Sequence, residues 1–385
     1  MSWDTVRLGD IASFSNGINF DKTAYSHGVK LIGVSDFSNR FFPDIANLRE
    51  VKKEVVRDSD LLKEGDIVFV RSNGNKELVG RCMLINHITQ PITFSGFVIR
   101  GRILDTEKYD QVYFTYHFKN IAFRRAMSGT AVGANIQNLS QGILSAYVAK
   151  IPDIDTQHKI ANYLSSYDSL IENNQRQIKL LEEAARRLYK EWFVDLRFPG
   201  YEDTPIVDGV PEGWKKGTLG DISLFKRGKT ITKAQVLDGD VPVVAGGIEP
   251  AYYHNKSNTV APVITVSGSG ANAGFTRLYN VDVFASDCSF IDSNSTPFLF
   301  FVYCFLKANA MKLDSLQKGS AQPHVYAKDL NALVLSVPTE GVLTVFCDIV
   351  FPYFERIRLL QRENEIAAEA RDRLLPKLMS GEIEV

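Results

Sequence analysis

Two ladders of apolar residues, each 33 residues long, limit what this 385-residue chain can fold into. The first reads Ile160, Leu164, Tyr167, Ile171, Asn174, Ile178, Leu181, Ala185, Leu188 and Trp192, in alternating steps of four and three. The second reads Phe346, Val350, Tyr353, Ile357, Leu360, Asn364, Ala367, Arg371, Leu374 and Leu378. A constant shift of 186 positions superimposes them without a gap, carrying Pro152 onto Pro338, Gln175 onto Gln361 and Arg187 onto Arg373. Such steps give the seam of a heptad helix, and a proline precedes each one, as at many helix starts. Two helices of equal length with equal seams most simply bury those seams against each other. A whole globular segment separates Trp192 from Phe346, which rules out a short hairpin, and the pair is expected to pack antiparallel. At 1.5 Å per residue each ladder spans about 50 Å, a rigid spacer with one globular domain at each end.

The remainder of the chain is also written twice. "WDTVRLGDIASFSNGI" opens it, and "WKKGTLGDISLFKRGK" begins at Trp214; a shift of 211 carries Leu8, Gly9, Asp10 and Ile11 onto Leu219, Gly220, Asp221 and Ile222, Phe14 onto Phe225, and Gly17 onto Gly228. A glycine-containing turn recurs as "SGTAVGANI" (128–136) and "KGSAQPHV" (318–325). A repeat this long means duplicated domains and not a solenoid. Short β-branched runs predict strands over residues 28–37, 65–71 and 93–104, then a helix over 108–127. In the second half strands are expected over 240–247, 261–268 and 274–286, then a helix over 297–317. The fold class expected is α+β: two mixed α/β globular domains separated by a long antiparallel two-helix coiled coil, with an internal pseudo-two-fold repeat. The boundaries are 1–150, 151–197 (first helical region), 198–213 (a linker rich in Pro, Gly and acids), 214–337 and 338–385 (second helical region).

Forty-four basic against forty-five acidic residues leave a net charge of −1, so any attraction for a polyanion has to be local. The longest apolar run, "PFLFFVYCFL", is about half a membrane span, and the charged opening "MSWDTVRLGD" argues against a secretory signal. Four cysteines without metal spacing read as buried thiols of a cytoplasmic protein. Catalytic patterns are missing as well. "SLFKRGKT" has Ser223 where a phosphate loop needs its first glycine, and "VSGSGANAG" has the glycines of a dinucleotide turn at the wrong spacing, so a hairpin loop is expected there. No [DNS]PP[YF] tetrapeptide of an amino-methyltransferase occurs. "PDIANLREVKKE" alternates charge like a solvated surface and not like a nuclease metal site. The six histidines are scattered. The chain reads as non-enzymatic, with no cofactor or metal of its own.

What stands out is a set of basic, polar, glycine-rich loops. "RSNGNKELVGR" supplies Arg71, Asn73, Lys76 and Arg81, and "FKRGKTITK" supplies Lys226, Arg227 and Lys229. The tract "KNIAFRRAMSG" adds Lys119, Arg124 and Arg125. Such side chains reach phosphates and base edges. Asn272, Arg277, Gln322 and His324 join the second-half candidates, with Arg71 and Arg227 the leading base readers.

The doubled "LGDI" opening, the segment "IPDIDTQHKIANYLSSYDSLIENNQRQIKLLEEAARRLYKEWF" and the closing "RDRLLPKLMSGEI" resemble the specificity subunit of type I restriction–modification systems over nearly the whole chain. One departure is "VPTEGVLTVFCDIV", which lacks the Gln-His-Lys-Ile found at residues 157–160. The resemblance implies that each globular domain is a target-recognition domain for half of a bipartite, asymmetric DNA sequence. The helices would set the gap and dock two adenine-N6 DNA methyltransferase subunits, which hold S-adenosylmethionine. A motor–nuclease restriction subunit using ATP and Mg would join for cleavage. The seam residues Leu164, Tyr167, Ile171, Ile178, Leu181, Leu188, Trp192, Val350, Tyr353, Ile357, Leu360, Leu374 and Leu378 would form the coiled coil and partner interface. The alternatives are a protein-only coiled-coil scaffold, a nuclease with an unrecognised site, and the specificity subunit of a methylation-only system.

Overall fold

The computed structural model describes residues 3–37, 40–73, 78–129, 137–316 and 323–385, and the chain divides into two units, Met1–Asn173 with Glu363–Val385, and Asn174–Arg362.

In the first unit β1 (Trp3–Arg7) runs into a one-turn helix, α1 (Leu8–Ile11), which is the first "LGDI". There follow β2 (Ala12–Asn16), β3 (Tyr25–Ile32), β4 (Arg49–Val51), β5 (Ile67–Val70), β6 (Ser72–Asn73), β7 (Cys82–Leu84), β8 (Ile92–Phe94) and β9 (Val98–Ile103). Helices α2 (Gln111–Lys119) and α3 (Ile121–Gly129), strand β10 (Gln137–Asn138), helix α4 (Gln141–Ala146), β11 (Val148–Pro152) and the long α5 (Ile154–Phe193) complete the order. The main sheet is antiparallel, β2-β9-β5-β7, and a smaller one runs β4-β3-β8 with β3 and β8 parallel. β1 pairs antiparallel with β11, Trp3 opposite Pro152, so the chain opening is fastened to the strand that feeds α5. All of β5 is buried, and the aromatic face of α2 (Tyr113, Phe114, Tyr116 and Phe118) closes over the sheet.

In the first unit two of these expectations change in detail, and in the second the strand expected over 274–286 and the helix expected over 297–317 are each two. The strand expected over 93–104 is two, because the chain turns at residues 95–97, where Val98 N–H donates to Ser95 O at 2.9 Å. The helix expected over 108–127 breaks at Asn120, which has extended backbone angles and whose Oδ1 accepts from Ala122 N–H at 3.2 Å. A short polar side chain that offers the backbone such a bond competes with helix continuation.

The second unit holds β12 (Ile206–Val207) and β13 (Val210–Pro211) as a hairpin, then β14 (Lys215–Thr218), β15 (Lys226–Arg227), β16 (Val241–Val244), β17 (Tyr252–His254), β18 (Val263–Ser267), β19 (Thr276–Tyr279), β20 (Phe284–Ala285) and β21 (Cys288–Asp292). Helices α6 (Leu299–Ala308), α7 (Ala310–Ser315) and α8 (Ala327–Asn331) lead to β22 (Val334–Val337) and α9 (Glu340–Ser380). The main sheet is β15-β21-β18-β19, and a second is β17-β16-β20 with β16 and β20 parallel. β14 pairs antiparallel with β22, the strand that feeds α9. The second "LGDI" lies here, its buried Leu219 donating from N–H to Leu333 O at 2.8 Å, as Leu8 donates to Tyr147 O at 2.9 Å in the first unit. "VSGSGANAG" joins β18 to β19 as a hairpin, with Gly270 at φ +78° and Gly274 at φ +88°, conformations that only glycine adopts without strain. The apolar run at 299–306 is fully buried in α6. Among the described residues no helix is long and apolar enough to cross a membrane, and no group of side chains could hold a metal ion. All four cysteines are buried thiols, and burial pushes Cys82 up to about 11 and Cys288 up to about 12.

The long helices run to 40 and 41 residues, beyond the 33 of each ladder. Within the first unit Ile160, Ala161 and Leu164 of α5 share one core with Leu375, Leu378 and Met379 of α9, against which Leu374 packs. Within the second unit Ala185, Tyr189 and Trp192 share a core with Leu343, Phe346, Val350 and Ile357, and Ile178, Leu181, Leu188 and Tyr353 pack against it. Tyr167 and Ile171 are half-buried and Leu360 is buried. No ladder position of either helix is exposed.

Candidate nucleic-acid interface

The first-unit candidates gather at one end of the β5–β7 pair. Val70 N–H donates to Arg81 O at 2.8 Å, and Gly80 N–H returns to Val70 O at 2.9 Å, so Arg71 and Arg81 flank the same hairpin end. Arg71 is half-buried and tied inward: its backbone N–H donates to Phe97 O, and its Nη1 donates to Gly96 O, both at 2.9 Å. Part of its donor fork therefore braces the turn at 95–97. Asn73 sits in β6 opposite Gln137 of β10. Lys76 lies outside the described residues.

In the second unit Lys226 and Arg227 form the edge strand β15 and are exposed, as is Lys229, while Phe225 anchors the strand in the core. The segment 285–288 gathers the neighbouring pieces. Gly228 N–H donates to Cys288 O at 2.8 Å, Lys229 N–H to Ala285 O at 2.9 Å, and Gly268 N–H to Asp287 O at 3.2 Å. Ser269 Oγ donates to the Asp287 carboxylate. Gly270 N–H donates to Pro323 O at 3.1 Å, and Ser269 bridges to His324, whose ring stacks on Tyr326 at 5.8 Å. The β15 end, the turn that carries Asn272 (Gly270–Asn272) and His324 thus adjoin one another. Arg277 does not join them. It lies on β19, the opposite edge of the sheet, where its Nη1 donates to Ile248 O at 2.8 Å and its guanidinium covers Tyr279 at 4.8 Å. Gln322 lies outside the described residues, as do most of the turns at 128–136 and 318–325.

The two loop systems are built alike around the glycine that the repeat superimposes. A Cβ on Gly17 would fall within 3.0 Å of the carbonyl oxygens of Phe94 and Ser95, and one on Gly228 within 3.0 Å of those of Ala285 and Ser286. In each unit a glycine lets the chain after an edge strand press against the turn that ends a parallel-paired strand, β8 or β20. Sequence reasoning recorded the glycine pair but missed the partners, Gly96 and Phe97 in one unit and Asp287 in the other. Phe97, 62% exposed beside Arg71, is an aromatic that could stack on a base; its only signal in sequence is a large apolar residue next to a glycine turn.

A family model described as the type I restriction modification DNA specificity domain matches residues 1–183 and again 211–368. The chain belongs to the family of type I restriction–modification DNA specificity subunits. Such subunits recognise DNA and are not the catalytic members of their systems. The MjaIX specificity subunit of Methanocaldococcus jannaschii is 26% identical, the alignment covering 100% of this chain and 94% of the relative. The HindI specificity subunit of Haemophilus influenzae is 23% identical over 99% of each. A crystal structure of the type I restriction–modification S subunit from M. genitalium shares the fold, with a TM-score of 0.59 at 18% identity over 98% of this chain and 96% of that one. In this specificity subunit the basic loops fall inside the matched segments, Arg71 to Arg81 in the first and Lys226 to His324 in the second.

Proposed function

We propose that this chain recognises a bipartite, asymmetric DNA sequence, each of its two specificity domains reading one half, and delivers that choice to the catalytic subunits of a type I complex. The observation that carries the reading is the double match of one DNA-specificity domain within one chain. The base-reading groups are the two loop systems, with Arg227 on the exposed edge of β15 and Arg71 beside Phe97 as leading candidates. Lys76, Arg81, Lys226, Lys229, Asn73, Asn272 and His324 are assigned to phosphates or flanking bases, together with Gln322. Arg277 is reassigned to holding the segment at 248–249. Two modest half-site interactions on one chain combine through effective concentration, which reconciles DNA recognition with a net charge of −1.

The long helices are assigned two tasks. As an antiparallel coiled coil they set the gap between half-sites; 40 residues span about 60 Å at 1.5 Å per residue, more than one turn of B-DNA at about 34–36 Å. They also carry apolar side chains outside their shared cores: Tyr163 and Ile366 in the first unit, Leu180, Phe351 and Leu359 in the second, with Tyr163 59% and Leu180 64% exposed. That surplus supports docking of two adenine-N6 methyltransferase subunits, which would bring S-adenosylmethionine, and of a motor–nuclease subunit that uses ATP and Mg. Mapping modified adenines across host DNA with and without this gene tests the reading. A split motif that disappears on deletion is the expected result, and an unchanged methylation pattern overturns it.

A further inference from the structure

The two loop systems share more than their glycines. In the first unit Arg71 N–H donates to Phe97 O and Leu139 N–H to Arg71 O, both at 2.9 Å. In the second, Gly268 N–H donates to Asp287 O at 3.2 Å and Val325 N–H to Gly268 O at 3.1 Å. The bonds match Arg71 with Gly268, Phe97 with Asp287, and buried Leu139 with buried Val325. Leu139 and Val325 also stand 186 positions apart, the shift of the two ladders. Ser72, opposite Asn138, then matches Ser269, opposite His324. Glycine answers to glycine and serine to serine in the frame, while Arg71, Phe97 and Asn138 are exchanged for Gly268, Asp287 and His324. A constant frame with exchanged side chains is what two readers of different half-sites need.

We infer that Asp287 reads a cytosine in the half-site of the second unit, a contact that rests on the function proposed above. A carboxylate accepts hydrogen bonds and donates none, and phosphates repel it, so beside DNA it suits only a donor on a base edge. In the major groove guanine offers only acceptors, and thymine an acceptor and a methyl group. Adenine sets its N7 acceptor beside the N6 donors, whereas cytosine offers its N4 donors alone. Two neighbours prepare the half-buried Asp287 for that contact. Ser269 Oγ donates to one of its carboxylate oxygens, which fixes the plane of the group. Gly268 makes room for it: a Cβ there would lie 3.1 Å from Asp287 O and 3.4 Å from Oδ1. Since Arg71 fills the matching place in the first unit, the frame itself accepts a side chain, and the glycine belongs to the carboxylate. Exposed Lys226 and Lys229 flank the segment, Lys226 opposite Phe290 and Lys229 N–H donating to Ala285 O at 2.9 Å, and they offset the charge of the acid toward the phosphates.

The test compares native and variant complexes by sequencing the sites that each methylates in a randomised library. Asp287→Asn is isosteric and adds a donor, and such an amide pairs with adenine N6 and N7 together. It is expected to move one position of one half from cytosine to adenine, changing the ratio of the two bases about tenfold or more, with the other half unchanged. Asp287→Ala, which offers neither group, is expected to leave that position unread. Ser269→Ala frees the carboxylate to turn and is expected to keep cytosine there with several-fold less discrimination. A serine that only braces the loop would lower the unfolding midpoint and leave the base discrimination as it was. Should both Asp287 variants fail to fold, Ser269→Ala decides alone: weaker discrimination at one cytosine supports the contact, and unchanged discrimination overturns it. Native preference kept in both halves by Asp287→Asn overturns the proposal while the proposed function stands. If the native complex selects one unbroken motif, the bipartite reading falls, and the Asp287 contact is still judged by whether one cytosine of that motif becomes adenine. A native complex that selects no motif overturns both.

Discussion

Gly17 and Gly228 mark the places where the two halves press one loop against another, and the need for glycine there is steric, because the missing Cβ would meet backbone oxygens that cannot move aside. Gly17→Ala and Gly228→Ala are each expected to destabilise by about 1–3 kcal/mol, the cost of forcing volume into a packed site, and to disturb the loop of their own unit. Urea unfolding measures the first effect. Two titrating groups of the first unit make its stability depend on pH on the acid side. His117 is buried on α2, its Nε2 3.3 Å from Tyr147 Oη and its Nδ1 without a hydrogen-bond partner among the described residues, and burial pulls its pKa down to about 4. Glu50 accepts from Lys30 at 2.9 Å and from Gly28 N–H at 2.9 Å, which holds its carboxyl down to about 2. Both folded values lie below the unfolded ones of about 6.5 and 4.3. Each contribution is therefore complete above the unfolded pKa and drains away as pH falls, for His117 between about 6.5 and 4 and for Glu50 between about 4.3 and 2. The expected slope in the upper window approaches 1.4 kcal/mol per pH unit. The urea midpoint against pH should lose that upper slope in His117→Phe and keep the lower one. The glycine pair was legible in sequence, and neither titration was. His117 reads as one of six scattered histidines, and only the packing of α2 shows it to be a neutral core group.

At the scale of the element the long helices were the most legible part of the chain, because a seam repeating every 3.5 residues is a property of local sequence. What the ladder conceals is a polar cluster beside it. Asp168, one position past Tyr167, is 8% exposed and accepts from both Arg371 Nη1 and Tyr116 Oη. Arg371 itself, 12% exposed, is the charged position within the second ladder. The 186-position shift carries Asp168 onto Phe354 and Arg371 back onto Ala185. In the second unit Phe354 stacks on Phe300 with centroids 4.6 Å apart. One unit thus uses an ion pair where the other uses rings. Arg371→Leu strands a buried carboxylate and is expected to cost about 3–5 kcal/mol. The triple variant Tyr116→Phe, Asp168→Leu, Arg371→Leu removes the whole cluster and is expected to regain most of that loss, since replacing a complete buried ionic group by apolar residues is often neutral or better. Equilibrium unfolding of the single and triple variants decides. A triple variant as unstable as the single would mean that the cluster contributes through geometry that apolar packing cannot supply.

For the whole molecule, sequence and fold separate what is shared from what differs. "LGDI" occupies the same place in each unit, with a buried leucine whose N–H reaches the segment just before the strand that feeds a long helix. Local pattern made that opening legible. The proposed recognition groups were only partly so, because the partners of a loop are set by segments distant in sequence. Lys226 and Arg227 were found as a run of charge and lie exposed on an edge strand, whereas Arg277, equally basic in sequence, is spent on Ile248 O and Tyr279. This distinction gives a test at the level of the assembled complex. If Arg227 reads a base, Arg227→Ala relaxes one position within one half of the target at a cost of about 1–3 kcal/mol and leaves the other half as stringent as before. Arg277→Ala, by contrast, shifts the unfolding midpoint and leaves the sequence preference of both halves intact. Sequencing the methylated sites selected by each variant from a randomised library separates the two outcomes. Weaker methylation of all sites alike by Arg227→Ala, with the preference of both halves unchanged, would mean that this arginine contacts phosphate and carries no sequence information.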